Sequence, residues 1–248
     1  MEHQRQGMFV AEGEKVVRRL LESRLNTVSL LMTPEWFDQY KSMLEGRSDQ
    51  PAIFVAEKNL LESIVGFHLH QGIMAVGKIP QSVTLEDVMA ISSQPRLLVA
   101  IEGLTNSENF GVLVRNCVAF GVQALIVGET SSSPYLRRSV RNSMGTVFKI
   151  PVVHVQSLVK TLGVLRDQFG VRSLAAHPRE QSKSLSDAPF GQDCCLVFGS
   201  EGGGLSQEVV GACDDAITIP MKMGVDSLNV ASASAVALYE VQRQRGKR

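Results

Sequence analysis

The sequence predicts an α/β protein built as two units. A small alternating α/β unit stands in front of a larger, mostly parallel sheet flanked by helices. Three observations carry this reading. First, the continuous apolar runs LLVAIEG from Leu97, ALIVG from Ala124, VRSLAA from Val171, CCLVFG from Cys194 and AITIP from Ala216 follow one another with helical stretches between them. Unbroken apolar strands mark parallel sheets buried on both faces. Second, two of these runs empty into loops of glycine and small polar residues, Leu196 to Ser206 and Ile219 to Asn229, before a helix begins. Such strand–loop–helix turns aim backbone N–H and C=O groups at one point. Third, residues 13–78 alternate helix and strand over a much shorter span.

In chain order, the polar N-terminus (MEHQRQGMFVAEGEK) has no signal-peptide apolar core. A helix is expected over Gly13–Leu25 and a strand over Val28–Met32, and Pro34 opens a helix that runs through Leu44. Further strands are expected at Ile53–Glu57 and Gly72–Lys78, with the short helix LLESIVG between them. Residues 1–79 thus form the front domain and residues 80–95 a polar linker bounded by Pro80 and Pro95, with a short helical centre. Residues 96–248 form the second domain, which reads as self-contained from about Gln94. KIPVVHV adds a strand before residue 156. Another helix starts near Glu108, with Val112, Val114 and Val118 expected to face the sheet and Arg115 about two turns in.

The 248 residues are 44% hydrophobic and 20% charged, an ordinary globular composition. No apolar run reaches the ~18 residues of a membrane span. The four cysteines (Cys117, Cys194, Cys195, Cys213) lack zinc-type spacing and read as buried free thiols of a cytoplasmic protein. His68 and His70 share one face of an extended segment, but no third ligand is evident, so no metal is expected. Zero net charge argues against a general polyanion binder. The charge is nonetheless uneven. Residues 1–95 carry 9 Lys/Arg against 12 Asp/Glu, and residues 96–248 carry 16 against 13. The basic surplus includes Arg137, Arg138 and Arg141, with Arg137 and Arg141 one helical turn apart.

The loop GSEGGGLS lacks the Gly-Lys-Ser/Thr ending of a Walker loop. The chain also has no G-x-G-x-x-G fingerprint and no G-x-S-x-G elbow. It does carry Asn109, Gly111 and Arg115 in one segment, Gly199-Ser200-Glu201-Gly202 in a second, and Ser227-Leu228-Asn229 in a third. In this order and spacing the three segments resemble the motifs of the SpoU/TrmH family of RNA ribose methyltransferases, within the SPOUT class. Ser200 stands where many members have Asn.

The resemblance implies a C-terminal deep trefoil knot, which residue patterns do not reveal. It also implies a front domain that binds RNA, and a homodimer. S-adenosylmethionine would be the methyl donor and a ribose 2′-hydroxyl the acceptor, in structured RNA, with ribosomal RNA favoured over transfer RNA. The cofactor contacts would come from Gly199, Gly202, Ile219, Met221 and Leu228. The catalytic set would be Asn109, Arg115, Glu201, Ser227 and Asn229. Arg115 would grip a phosphate and steady the developing alkoxide, because a guanidinium is a poor base. Arg137, Arg138 and Arg141 would contact RNA, in a region that approaches the partner protomer's site in relatives. The alternatives are a tRNA ribose methyltransferase, a non-catalytic RNA-binding protein that keeps the fold, and a cofactor-binding protein with a non-RNA substrate. The second would be favoured by loss of Asn109, Arg115 or Asn229, and all three are present.

Overall fold

The computed structural model describes residues 6–66, 69, 71–178, 182–222, 224 and 227–246. The expectations for His68 and His70 therefore lie outside the described residues. Two compact units result. The first comprises Met1–Gln81 and Pro134–Lys149, the second Ser82–Ser133 and Ile150–Arg248.

The first unit is built on a four-stranded sheet: β1 (Met8–Glu12), β2 (Thr27–Met32), β3 (Ala52–Val55) and β4 (Ile73–Lys78). Their spatial order is β1-β4-β2-β3, with β4 antiparallel to both neighbours and β2 parallel to β3. The helices are α1 (Glu14–Glu22), α2 (Pro34–Glu45) and α3 (Lys58–Val65). Helix α1 buries Val16, Val17, Leu20 and Leu21, a single stripe at helical spacing.

Two features depart from the sequence reading. Met8–Glu12, read as part of a polar N-terminus, is a strand, because β4 offers it a complete antiparallel ladder from Met8↔Lys78 to Glu12↔Met74. Residues 134–149, expected in the second domain, belong to the first unit. They comprise α4, here the helix Arg137–Asn142, and a 3₁₀ turn at Thr146–Lys149. The Phe9 ring packs against Tyr135 at 5.6 Å and Phe148 at 5.2 Å between centroids. Gly77 makes room for it, since a Cβ there would lie 2.5 Å from the ring. Arg19 adds a hydrogen bond to the Met144 carbonyl, just before Gly145 (φ +75°). A chain starting at Gln94 would leave Tyr135 and Phe148 without Phe9.

The second unit has seven parallel strands: β5 (Leu97–Ile101), β6 (Ala124–Val127), β7 (Val152–His154), β8 (Arg172–Ala176), β9 (Lys183–Ser184), β10 (Cys194–Phe198) and β11 (Asp215–Thr218). Their order is β7-β6-β5-β10-β8-β11-β9. β5, β6 and β10 are buried throughout, as their apolar runs require. The helices are α5 (Leu85–Ile91), α6 (Ser107–Ala119), α7 (Leu158–Phe169), α8 (Gln207–Ala212) and α9 (Val230–Gln244).

Helix α5 lies within the segment read as a linker. It is part of the core instead: Leu85, Val88 and Met89 pack with Leu98, Ala100, Leu162 and Val197. Thr84 and Asp87 close a capping box at its start. Helix α6 begins one residue earlier than expected, with Asn106 as its cap. It buries Phe110, Gly111, Leu113, Val114 and Cys117, while Val112 and Val118 are only half-buried. The inward stripe is therefore rotated from the expected valines toward the larger side chains.

No helix among the described residues is long and apolar enough to cross a membrane. All four cysteines are free. Burial raises their thiol pKa values, to about 11 at Cys194 and about 12 at Cys213, and upward also at Cys117 and Cys195.

Two outcomes follow from this packing. Phe9→Ala should destabilise the protein by about 3–5 kcal/mol in a urea titration, because the buried ring is lost and Tyr135 and Phe148 lose their common partner. A thiolate is the reactive form, and raised pKa values keep it scarce at pH 8. An aromatic disulfide reagent should therefore label the native protein negligibly within minutes and all four thiols in urea. Rapid native labelling would contradict the burial of these residues.

Candidate active site

The carboxyl ends of β5, β8, β10 and β11 converge where β10 is inserted between β5 and β8. In open parallel sheets this edge, at a break in strand order, is where ligands bind. The loop after β10 is closed on itself. Ser200 and Gly204 exchange backbone hydrogen bonds of 3.1 and 2.9 Å, and Gly203 N–H donates to the Ser200 hydroxyl at 3.2 Å. Gly199 permits this closure: a Cβ there would sit 2.1 Å from the Gly204 carbonyl carbon and 2.4 Å from the Leu205 nitrogen. Gly204 itself needs a left-handed conformation (φ +63°). The loop's exit is held by Glu102, at the end of β5, which accepts a hydrogen bond from Ser206 N–H at 2.8 Å. The sequence reading passed over Glu102. Its signal was an acidic residue terminating a buried strand beside a glycine.

Three polar side chains tie the three sequence motifs together. Asn229 caps α9 by accepting from Ala231 N–H at 2.9 Å, which fixes its amide. Its NH₂ donates to the Asn109 side-chain oxygen at 3.1 Å. Asn109 in turn donates to the Glu201 carboxylate. Two turns along α6, on the same stripe, Asn116 donates to Ala231 O at 2.8 Å and to the buried Ser234 hydroxyl at 3.0 Å. The α6–α9 contact is thus a polar seam, and Asn116 is a second residue that the motif reading did not single out.

Beside this seam lies a cleft with about 530 Å³ of free space, part of it open solvent. Its walls include Leu185, Phe198, Ile217, Ile219, Leu228 and Ala237, and its polar side chains are those of His177, Thr218 and Ser227. Of the expected cofactor contacts, Ile219, Met221 and Leu228 line the cleft, whereas Gly199 and Gly202 do not. Gly199 acts one step removed, by closing the loop behind Phe198. Gly202 has open space around it. Ser227 lines the cleft as well. His177 is an addition: its ring nitrogen Nδ1 lies 3.9 Å from where a Gly204 side chain would begin, between the glycine loop and the cleft.

Apolar walls with few polar groups suit a flat heteroaromatic ring whose edge is read by backbone amides. Leu228, 40% exposed, is the kind of residue that such a ring would cover. The residues present therefore fit the adenosine of S-adenosylmethionine.

Arg115 is exposed on α6, off the Asn109–Asn116 stripe, and its side chain makes no hydrogen bond or ion pair among the described residues. Arg137 and Arg141 lie in the first unit, both paired with Glu12, and Arg138 is exposed. Among the described residues no group of three or more His, Cys, Asp or Glu could hold a metal ion.

Residues 96–239 match the SpoU rRNA Methylase family. The chain belongs to this family. A relative from Mycobacterium tuberculosis, called an uncharacterized tRNA/rRNA methyltransferase, is 32% identical over 240 residues, covering 95% of this chain and 81% of its own. The 23S rRNA (guanosine-2′-O-)-methyltransferase RlmB of Vibrio parahaemolyticus is 34% identical over 183 residues, 71% of each chain. Among solved structures, the SpoU methyltransferase AviRb of Streptomyces viridochromogenes in complex with AdoMet superposes with a TM-score of 0.84 at 25% identity. That match covers 100% of this chain and 94% of the other.

Asn229→Ala removes both a helix cap and the link to Asn109. It should cost about 1–2 kcal/mol of stability in denaturant titration. It should also weaken S-adenosylhomocysteine binding measured by calorimetry, because Leu228 is the preceding residue. Unchanged stability and affinity would show that the polar chain does not hold the cleft.

Proposed function

We propose that the protein transfers the methyl group of S-adenosylmethionine to a ribose 2′-hydroxyl of structured RNA, with ribosomal RNA as the substrate. The observation that carries this reading is the apolar cleft at the strand ends, walled by the third motif and joined to the first and second motifs through Asn229, Asn109 and Glu201. Family membership and the match to a 23S rRNA (guanosine-2′-O-)-methyltransferase support the chemistry and favour ribosomal over transfer RNA.

In this reading the cofactor supplies an electrophilic methyl on a sulfonium. The chain has three tasks. Ile219, Met221 and Leu228 hold the adenosine moiety, with Gly199 and Gly202 shaping the loop beside it. Asn109, Asn229, Ser227 and Glu201 orient the polar groups at the cleft mouth, and the Glu201 carboxylate favours positive charge nearby. Arg115, whose side chain has no partner among the described residues, grips a phosphate next to the target ribose and stabilises the developing alkoxide while a phosphate oxygen or water takes the hydroxyl proton, and the thioether S-adenosylhomocysteine is the leaving group.

The C-terminal trefoil knot belongs to the same proposal. β11 lies outside β8, yet the helix that follows it packs on α6, which follows β5. This return of the chain from the far side of β8 to α6 supports a threaded C-terminus. A homodimer is supported by the uncovered apolar side of α9, where Val236 and Tyr239 are 41% and 60% exposed one turn apart. The front unit docks RNA, with Arg137, Arg138 and Arg141 as contacts. We place the protein in the cytoplasm.

The test is incubation of purified protein with ribosomal RNA and labelled S-adenosylmethionine, followed by mapping of the new 2′-O-methyl group. Label in transfer RNA alone would overturn the substrate assignment. Arg115→Ala should lower methyl transfer by two orders of magnitude or more while leaving cofactor affinity within a few-fold. Lysine should rescue poorly because it lacks the planar fork. Near-normal turnover of the alanine variant would remove Arg115 from the mechanism.

A further inference from the structure

Among the described residues, Glu12 is the one Asp, Glu, Lys or Arg that is buried, at 7% exposure. A buried carboxylate is costly unless paired, and Glu12 is paired twice. The Arg137 Nε and Nη2 atoms both donate to its Oε2, at 3.1 and 2.8 Å. Arg141 Nη1 reaches its Oε1 at 3.4 Å, the outer edge of hydrogen-bond range. The two arginines differ in commitment. Arg137 makes two bonds to Glu12 and its side chain is 39% exposed, whereas Arg141 makes one long bond to it and is 58% exposed.

A structural strut needs only one of these partners. Arg137 alone neutralises Glu12 and ties the 134–149 segment to β1, a junction that the Phe9–Tyr135–Phe148 rings already secure. The second guanidinium is in excess. It stands one turn from Arg137, where like charges repel, and three residues from Arg138, which is exposed with no side-chain hydrogen bond or ion pair among the described residues. The three arginines of α4 and the one carboxylate that two of them contact sum to a charge of +2, and a phosphodiester is the anion that would relieve it.

We infer that Glu12 is a positioning residue for RNA docking: it anchors Arg137 and parks Arg141 beside Arg138, so that Arg138 and Arg141 together receive an RNA phosphate. The inference rests on the reading of RNA as substrate. The phosphate site lies wholly within the first unit, and Arg141 exchanges its weak bond to Glu12 for the incoming phosphate.

The experiment measures binding of deproteinised bacterial ribosomal RNA across a salt series, for full-length wild type, Arg141→Gln, Glu12→Gln and Glu12→Asp. Melting temperature and S-adenosylhomocysteine binding serve as controls. Arg141→Gln should weaken RNA binding several-fold at fixed salt and make the slope of log affinity against log salt shallower by about one, the signature of one lost phosphate contact. Glu12→Gln should keep or raise RNA affinity at low salt, since a repelling carboxylate is gone, yet lower kcat for methyl transfer because the arginines lose their register. Glu12→Asp should recover part of that kcat.

An unchanged affinity and slope in Arg141→Gln overturns the proposal. So does a Glu12→Gln variant that keeps wild-type kcat, or one whose RNA affinity falls in step with melting temperature, which is the strut outcome. If Glu12→Gln does not fold, Arg141→Gln decides alone. If wild type binds RNA but transfers no methyl, the proposed activity fails while the salt-slope result still judges the phosphate site.

Discussion

The hydrogen-bonded chain from Asn229 through Asn109 to Glu201 joins residues up to 120 positions apart, and it fixes the residue that directly follows Leu228 of the cleft wall. Each amide has both ends committed. The Asn229 oxygen is taken by the amide of Ala231, so its NH₂ must face Asn109. The Asn109 oxygen accepts that bond, so its NH₂ must face Glu201. Substituting any member leaves a donor or acceptor without its partner at the junction of three loops.

The parallel sheet makes this junction possible. Its order places β10 between β5 and β8, so the loop after β10 meets the end of β5, where Glu102 holds it. The cost of tight closure is taken at Gly199 and Gly204, one without room for a side chain and the other in a left-handed conformation. The loop therefore carries Ser200 and Glu201 on a backbone that has little freedom to move them. Loops held on rigid scaffolds are where binding groups concentrate.

Local pattern recorded some of this well and some of it poorly. The strands of the second unit were legible because burial on both faces demands continuous apolar runs. The motif loops were legible because their glycines and small residues have few other uses. Three things were not. Met8–Glu12 is a strand because of β4, a partner 65 residues away. The helix Leu85–Ile91 carries ordinary amphipathic spacing inside a polar stretch, and nothing local says which core receives Leu85 and Val88. Residues 134–149 follow the second unit's strands in sequence but pack against Phe9 and Glu12. In each case the deciding contact is distant in sequence. At the site, Ile219, Met221, Ser227 and Leu228 line the cleft, and all four stand in segments that the motifs singled out, whereas His177 and Glu102 were not singled out because each is an isolated polar residue at a strand end.

The central claim is that one ligand site is assembled from the loops after β10 and β11 and the start of α9. Backbone amide hydrogen exchange, with and without S-adenosylhomocysteine, tests it most directly. The account predicts added protection in residues 199–206, in residues 218–222 and at 227–231 together, with the four-stranded sheet unchanged. Protection confined to one of these segments, or located in the first unit, would contradict it.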